Sequence, residues 1–168
     1  MPSVDIQRQL SVPETQAREA AAAILSEIAA SKDPWTDFAL HLDLRDLGLP
    51  DVGYVAIPIA LSGPRAAAAP AFRLDFSLKA KHGADAFPTL DGTLHVEPAK
   101  PSASILRLRG SYELPMRNLG SILDAVLGRG AAQKTLENFV DDLANGIVAR
   151  VERREIAGAR YRMLFNRP

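Results

Sequence analysis

The sequence LGSILDAVLGRGAAQKTLENFVDDLANGIVARVER, residues 119–153, carries the longest apolar pattern in the chain. Apolar residues recur there every three or four positions, which predicts one buried stripe along an α-helix. The stripe consists of Leu119, Ile122, Leu123, Val126, Leu127, Leu136, Phe139, Val140, Leu143, Ala144, Ile147, Val148 and Val151. A straight helix of this extent would be about 50 Å long, so we expect a bend at Gly128 and Gly130. Asp141 and Asp142 are expected on the solvated face.

Upstream of this helix, alternating apolar and polar residues predict β-strands. The predicted strands are residues 3–12, 37–45, 54–61, 72–79, 89–98 and 104–115. After the first strand, Pro13 opens an Ala-rich stretch that predicts a helix, with Ile24, Leu25 and Ile28 on its packing side. Residues 62–71, SGPRAAAAPA, are predicted to be a mobile loop.

An antiparallel sheet with one apolar face needs a cover, and the C-terminal helix is the longest element able to supply it. We therefore predict an α+β fold in which a curved antiparallel sheet of six to seven strands wraps on a long C-terminal helix, with one shorter N-terminal helix. Residues 1–168 are expected to form one domain, with a core at about 3–153 and a basic tail at 154–168. A cavity between sheet and helix is a natural outcome of this curvature.

Composition narrows the class of protein. The chain has 168 residues, of which 47% are hydrophobic and 24% charged, as in globular domains. Zero cysteine excludes disulfides and thiolate chemistry. A net charge of zero argues against a general nucleic-acid binder. The N-terminus lacks the pattern of a signal peptide, so the expected location is cytoplasmic.

The charges are unevenly distributed. Residues 150–168 contain six Arg and two Glu, a net charge of plus four, so the preceding 149 residues carry minus four. One interpretation is that these cations complement the dipole at the end of the long helix. The other adds the apolar residues of the tail and predicts a weak contact with an anionic membrane surface or a partner.

The order of elements and several short motifs resemble the START-like helix-grip superfamily, in particular its branch of polyketide cyclases and lipid-transport proteins. The similar positions are Gly110, Tyr112, Pro115, Gly120 and Asp124, together with VPETQA at residues 12–17, where Val12 replaces the more usual Ala. The resemblance covers residues 3 to about 153. It implies an apolar cavity for a lipid, polyketide or similar ligand, and it implies no specific activity because members range from enzymes to carriers.

Eleven residues are expected to line this cavity, because they are apolar or fall at inward positions of their elements. They are Arg8, Tyr54, Phe72, Leu74, Phe76, Leu94, Leu108, Tyr112, Leu136, Phe139 and Leu143. Arg8 interrupts the apolar side of its strand, so it needs a carboxylate, a set of carbonyls or an anionic ligand unless its head reaches solvent. The three histidines do not form a ligand pattern, and no metal or cofactor is expected.

Three functions remain open. The first is the binding or carriage of an apolar small molecule. The second is a cyclase or aromatase activity on a hydrophobic substrate in the same cavity, with unknown catalytic residues. The third is a partner-binding domain with a filled core. The scarcity of inward ionisable groups favours the first. The sequence leaves the oligomeric state open.

Overall fold

The computed structural model describes residues 3–30, 39–43, 54–66, 72–80, 89–113 and 129–165. The described elements, in chain order, are β1 Ser3–Leu10, α1 Glu14–Ala30, β2 Ala39–Asp43, β3 Tyr54–Ala66, β4 Phe72–Ala80, β5 Thr89–Lys100, β6 Ala103–Glu113 and α2 Arg129–Phe165. The predicted α+β class, with a sheet and a long C-terminal helix, is confirmed.

The described strands form an antiparallel sheet in the order β1-β6-β5-β4-β3-β2. Five of them follow one another as neighbours, whereas β1 returns to pair with the last strand. Ser3 lies opposite Ser111 and Leu10 opposite Ser104. The N-terminal strand therefore extends the sheet beyond β6, and β1 and β2 form its two edges among the described strands.

Strand β3 is longer than predicted, because residues 62–66 belong to it and not to a loop. Ser62 pairs with Ser77 and Arg65 with Asp75, and the register shifts between these two pairs. The shift is a bulge that accommodates Gly63 and Pro64, residues that a regular ladder does not favour. The remainder of the predicted loop, residues 67–71, lies outside the described residues.

Helix α1 packs its alanine face into the protein interior. Ala17, Ala20 and Ala21 are fully buried, and Ile24 and Leu25 are at most 3% exposed. Small side chains allow a helix to approach its neighbours closely, and α1 packs against α2 and against strands β3, β5 and β6. The predicted packing side of this helix is therefore confirmed.

Serine 104 holds the junction between β1 and α1. Its hydroxyl donates to the carbonyl of Val12 over 2.9 Å, and its side chain is fully buried. The amide of Ala17 donates to the carbonyl of Pro13 over 2.9 Å, which is the first helical hydrogen bond of α1. The turn from strand to helix is thus fixed by one side-chain bond from β6.

Helix α2 buries the stripe that the sequence predicts. Its residues Leu136, Phe139, Val140, Leu143, Ala144, Ile147 and Val151 are at most 7% exposed and belong to one apolar cluster with the inward residues of β1, β5 and β6. Gly130 lies in the first turn, and residues 119–128 lie outside the described residues. The helix continues to Phe165, beyond the predicted end of the stripe, so its 37 residues are about 55 Å long.

Candidate functional site

The strand register places most of the predicted lining residues in neighbouring rows across one face of the sheet. One row contains Ile6, Leu108, Leu94 and Leu74; a second contains Arg8, Leu106, Val96 and Phe72; a third contains Val4, Gly110, Gly92 and Phe76; and Tyr112, Leu90 and Leu78 form a fourth. This is the face that α2 covers, because Ile6, Leu94 and Leu108 join the stripe of α2 in one buried cluster. We call it the inner face.

The third row has a pair of glycines at its centre, a feature that the sequence patterns did not predict. Gly92 and Gly110 lie directly opposite each other on β5 and β6. A Cβ atom on Gly110 would lie 2.6 Å from the carbonyl oxygen of Asp91 and 2.9 Å from the Cα of Gly92. The backbones approach too closely for any side chain, as occurs where a sheet bends sharply.

Neither of these two adjacent strands contributes a side chain to the row, so the row lacks side chains of its own over a width of about 10 Å. The Cδ1 atom of Leu90 would lie 3.1 Å from a Cβ on Gly110. Val4 precedes the glycines in this row on β1, and Phe76 follows them on β4. The signal was present in the sequence as two glycines inside predicted strands, but only the register shows that they face each other.

Three predicted lining residues of α2, namely Leu136, Phe139 and Leu143, lie on its buried stripe. They are 5%, 1% and 0% exposed respectively. Their spacing of three and four residues places them on one side of the helix. With Leu94 and Leu108, both fully buried, they belong to one apolar cluster between sheet and helix. That they line a cavity stays a prediction.

Arg8 lies on the inner face, where its side chain forms an ion pair with α2. Its guanidinium donates to both carboxylate oxygens of Asp141, from Nη2 over 3.2 Å and from Nε, and from Nη1 to the carbonyl of Gln7 over 2.9 Å. The Asp141 carboxylate raises the pKa of Arg8 above its ordinary value. Arg8 is therefore satisfied by protein groups, and the prediction that Asp141 is merely solvated is wrong.

This ion pair also shows how α2 runs over the sheet. Arg8 contacts Asp141, while Gln9 and Ser11 border the same surface hollow as Asn145. Increasing residue numbers along β1 therefore correspond to increasing numbers along α2. The glycine row begins at Val4, so along β1 it lies on the side of Arg8 that corresponds to the first turns of α2.

The two ends of the interior differ in how they are filled. Around Leu106, Val96 and Ile147, side chains at most 1% exposed pack together. Towards the first turns of α2, the inner face is formed by the backbones of Gly92 and Gly110 and by Leu90, whose Cδ1 atom would lie 3.1 Å from a Cβ on Gly110.

Five of the predicted lining residues are described through their backbones, and their side chains lie outside the described part of the chain. These are Tyr54, Phe72, Leu74, Phe76 and Tyr112. The register places the last four in the rows of the inner face. Tyr54 pairs with Asp43 on β2, and its place in the lining of the interior stays a prediction.

Charged groups on the outer face pair with one another. Asp5 accepts from Arg107 over 2.5 Å and 2.8 Å and from Arg109 over 3.2 Å. These hydrogen bonds, that of Arg107 first, lower the pKa of Asp5 from 3.8 to about 2. His95 bonds with the hydroxyl of Thr93 over 3.2 Å. Within the described residues, no group of three or more acidic and histidine side chains is arranged to hold a metal ion.

Two open hollows lie along the outer flanks of α2. The first, of about 610 Å³, is bordered by Gln9, Ser11, Asn145, Val148, Ala149 and Glu152. The second, of about 450 Å³, lies between α1 and α2 and is bordered by Ile24, Glu27, Gly146, Arg150, Arg153, Arg154 and Ala157. Both are separate from the glycine row. In the described part of the chain, no helix is long and apolar enough to cross a membrane.

Comparison with known proteins gives matches in structure and none in sequence. No protein-family model and no curated protein matches this sequence. A conserved protein from Geobacillus kaustophilus superposes with a TM-score of 0.52 at 15% identity, covering 90% of this chain and 96% of that chain. Ara h 8.0201 superposes with a TM-score of 0.53 at 10% identity, covering 90% of this chain and 98% of that one. A hypothetical protein, jhp0584, from Helicobacter pylori gives a TM-score of 0.50 at 9% identity, covering 89% and 88%.

These matches extend over nearly the whole length of each partner, so they concern the complete arrangement of sheet and helices and not one shared motif. Identities of 15% or less restrict the likeness to the fold. The C-terminal helix covers the inner face, and the N-terminal strand pairs with the last strand. Together with the structural neighbours, these features show that the chain has the START-like helix-grip fold predicted from its sequence.

Proposed function

We propose that this chain binds an apolar small molecule, a lipid, polyketide or similar compound, between the inner face of the sheet and the first turns of α2. The observation that carries the proposal is the glycine pair Gly92–Gly110, which removes side chains from the centre of an otherwise apolar face. An apolar space between a curved sheet and a helix would admit an apolar molecule in preference to water. Leu136 and Phe139 of α2 supply the opposite wall.

The polar groups of the described interior support carriage and offer little for catalysis. The buried polar side chains are Ser104 and Thr135. Ser104 is engaged with the carbonyl of Val12, and Arg8 with Asp141. Binding would therefore derive mainly from apolar burial, at about 25 cal/mol per Å² before the entropic costs of association.

The proposal is tested by a substitution on α2 that fills the proposed site. Leu136→Trp adds bulk at the wall of the proposed site, and we expect a fluorescent apolar probe to lose at least about tenfold in affinity. Val148→Trp is the matched control, because it adds the same bulk to the same helix at a partly buried position beside an outer hollow. Native mass spectrometry of the purified chain provides the second readout, a co-purifying apolar compound.

Two results would overturn the proposal. One is a probe affinity that is equal in the wild type and Leu136→Trp while both remain folded. The other is the absence of probe binding in the wild type together with a bare protein mass. Thermal melts of both tryptophan variants separate a blocked site from a damaged fold.

Tyr112→Phe distinguishes a carrier from an enzyme. The register places Tyr112 opposite Leu90, next to the glycine row. In a carrier the change removes one hydrogen bond of roughly 1 kcal/mol, so affinity falls about fivefold. In an enzyme that uses the hydroxyl for proton transfer, turnover falls by about 10²-fold or more while binding is nearly unchanged. We expect the first result.

A further inference from the structure

The second half of α2 contains a stretch of exposed side chains. Val151 is the last buried residue among those of α2 whose side chains are described, and every residue from 152 to 157 is exposed. The hydrogen bonds that join this stretch to α1 are made by polar side chains at the surface, Gln16 with Glu155 and Glu19 with Arg154. Exposed residues 152–157 gain little from apolar packing, so their composition should show what they contact.

Three of the arginines are too far from the helix end to interact with its dipole. Arg150, Arg153 and Arg154 precede Phe165 by about three turns or more, whereas the dipole effect is confined to the last turn. For Arg162, which lies in the last turn, the interpretation as a dipole partner stays a prediction. The charge of the three earlier arginines requires another explanation.

Only one of these three arginines has a close bidentate carboxylate partner. Arg150 donates to both oxygens of Glu27, over 2.9 Å and 2.7 Å. The Nη1 of Arg154 lies 3.5 Å from Glu19, and both side chains are more than half exposed. Arg153 donates from Nε to a carbonyl of its own helix, that of Ala149, over 3.1 Å. Arg153 and Arg154 thus keep guanidinium donors directed to solvent.

These arginines border the hollow of about 450 Å³ between α1 and α2. Ile156, the one large apolar side chain that is mainly exposed among those described, lies on the same stretch with an exposure of 57%. Farther along the same helix the sequence adds Arg160 and Arg162, and also the apolar residues Tyr161, Met163, Leu164 and Phe165. Arginine and apolar residues interleaved on one helix are typical of segments that lie in a lipid interface.

We propose that residues 150–157 of α2 dock this protein on an anionic phospholipid surface. The arginines bordering the hollow would contact lipid phosphates, while Ile156 enters the boundary between headgroups and acyl chains. Residues 150–168 carry plus four and the rest of the chain minus four, so a negative surface both attracts this end and repels the remainder. A nucleic acid would be contacted through phosphates alone and would not use Ile156. The inference goes beyond ligand binding and does not depend on it.

The test is flotation of the full chain with vesicles of phosphatidylcholine, with or without phosphatidylserine. We expect binding to the vesicles that contain phosphatidylserine, and weaker binding at high salt. Replacing both Arg153 and Arg154 by Gln should lower the partition coefficient about 30-fold, and Ile156→Ser should lower it about tenfold.

The matched control replaces Arg73 and Arg109 by Gln. It removes the same charge at side chains that are 53% and 54% exposed, close to the 55% of Arg154, but on the outer face of the sheet. We expect this variant to bind as the wild type does. The proposal is overturned by failure of the wild type to float, by equal losses in the two double variants, or by full binding of the Arg153→Gln, Arg154→Gln variant. An acidic protein as the true partner would produce the first of these results.

Discussion

On the inner face of the sheet, Leu94, Leu106 and Leu108 are fully buried under α2, whereas on the outer face Asp5 and Arg107 pair with each other in contact with water. Apolar burial stabilises a fold in proportion to the area removed from water. Exposed ion pairs contribute little, because water solvates the separated charges almost as well. The two faces of the same strands should therefore respond very differently to substitution.

The largest effect is expected where α2 meets the inner face. Phe139→Ala removes a side chain that is 1% exposed and leaves a cavity, so the free energy of unfolding should fall by about 3–5 kcal/mol. Arg73→Ala on the outer face should change it by about 0.5 kcal/mol or less. Urea denaturation of both variants measures the contrast. Comparable losses in the two would remove the distinction between the faces.

A smaller loss is expected where the inner face carries a buried hydroxyl. Ser104→Ala leaves the carbonyl of Val12 without its side-chain donor in a fully buried place, which should cost about 1–2 kcal/mol of unfolding free energy. Ser102→Ala is the control, because that exposed serine lies in the turn between β5 and β6. An unchanged denaturation midpoint for Ser104→Ala would mean that the junction of β1 and α1 is held by other contacts.

The pair Arg8–Asp141 lies between these extremes, because its side chains are 34% and 44% exposed. A double-mutant cycle with Arg8→Met and Asp141→Asn isolates their interaction. We expect a coupling free energy of about 1 kcal/mol, which is larger than that of a fully exposed ion pair and smaller than that of a fully buried one. A coupling near zero would show that solvent screens the pair as effectively as it screens those of the outer face.

The sequence predicted the inner face well because burial there follows simple periods. The helical spacing from Leu136 to Val151 and the alternation that turned Arg8 inward are properties of single elements, and both are present in the fold. What the sequence did not predict depends on how elements meet. The partner of Arg8 depends on how α2 packs on the sheet, because this packing brings Asp141 next to Arg8.

The same reason explains the other differences. The pairing of Gly92 with Gly110 requires the register of two strands. The bulge that carries β3 through residues 62–66 requires a neighbouring strand to pair with them, because Gly, Pro and Ala alone favour a loop. The end of α2 was predicted from the point where the apolar period stops, but the helix continues past that point to Phe165. Of the candidate site, the apolar residues were predictable and the facing pair of glycines was not.

The smallest effect is expected at Asp5 on the outer face, and it appears only in acid. The pKa of this carboxyl is lowered from 3.8 to about 2, first by the hydrogen bond from Arg107 and further by Arg109. A group whose pKa is lowered by folding stabilises the protein above its unfolded pKa, and that contribution is lost as the pH falls through the folded value. Asp5 should therefore contribute fully above about pH 4 and lose its contribution between about pH 4 and pH 2.

The titration of Asp5 can be followed by NMR of its side-chain carboxyl carbon. Arg107→Gln should raise the midpoint towards its ordinary value by more than Arg109→Gln does, because Arg107 makes two hydrogen bonds of 2.5 Å and 2.8 Å and Arg109 one of 3.2 Å. Asp5→Asn should make the loss of stability between about pH 4 and pH 2 less steep, with little change in the midpoint of urea denaturation near neutral pH. Equal midpoints in the two arginine variants would assign the lowered pKa to the general field of the outer face and not to the bidentate contact with Arg107.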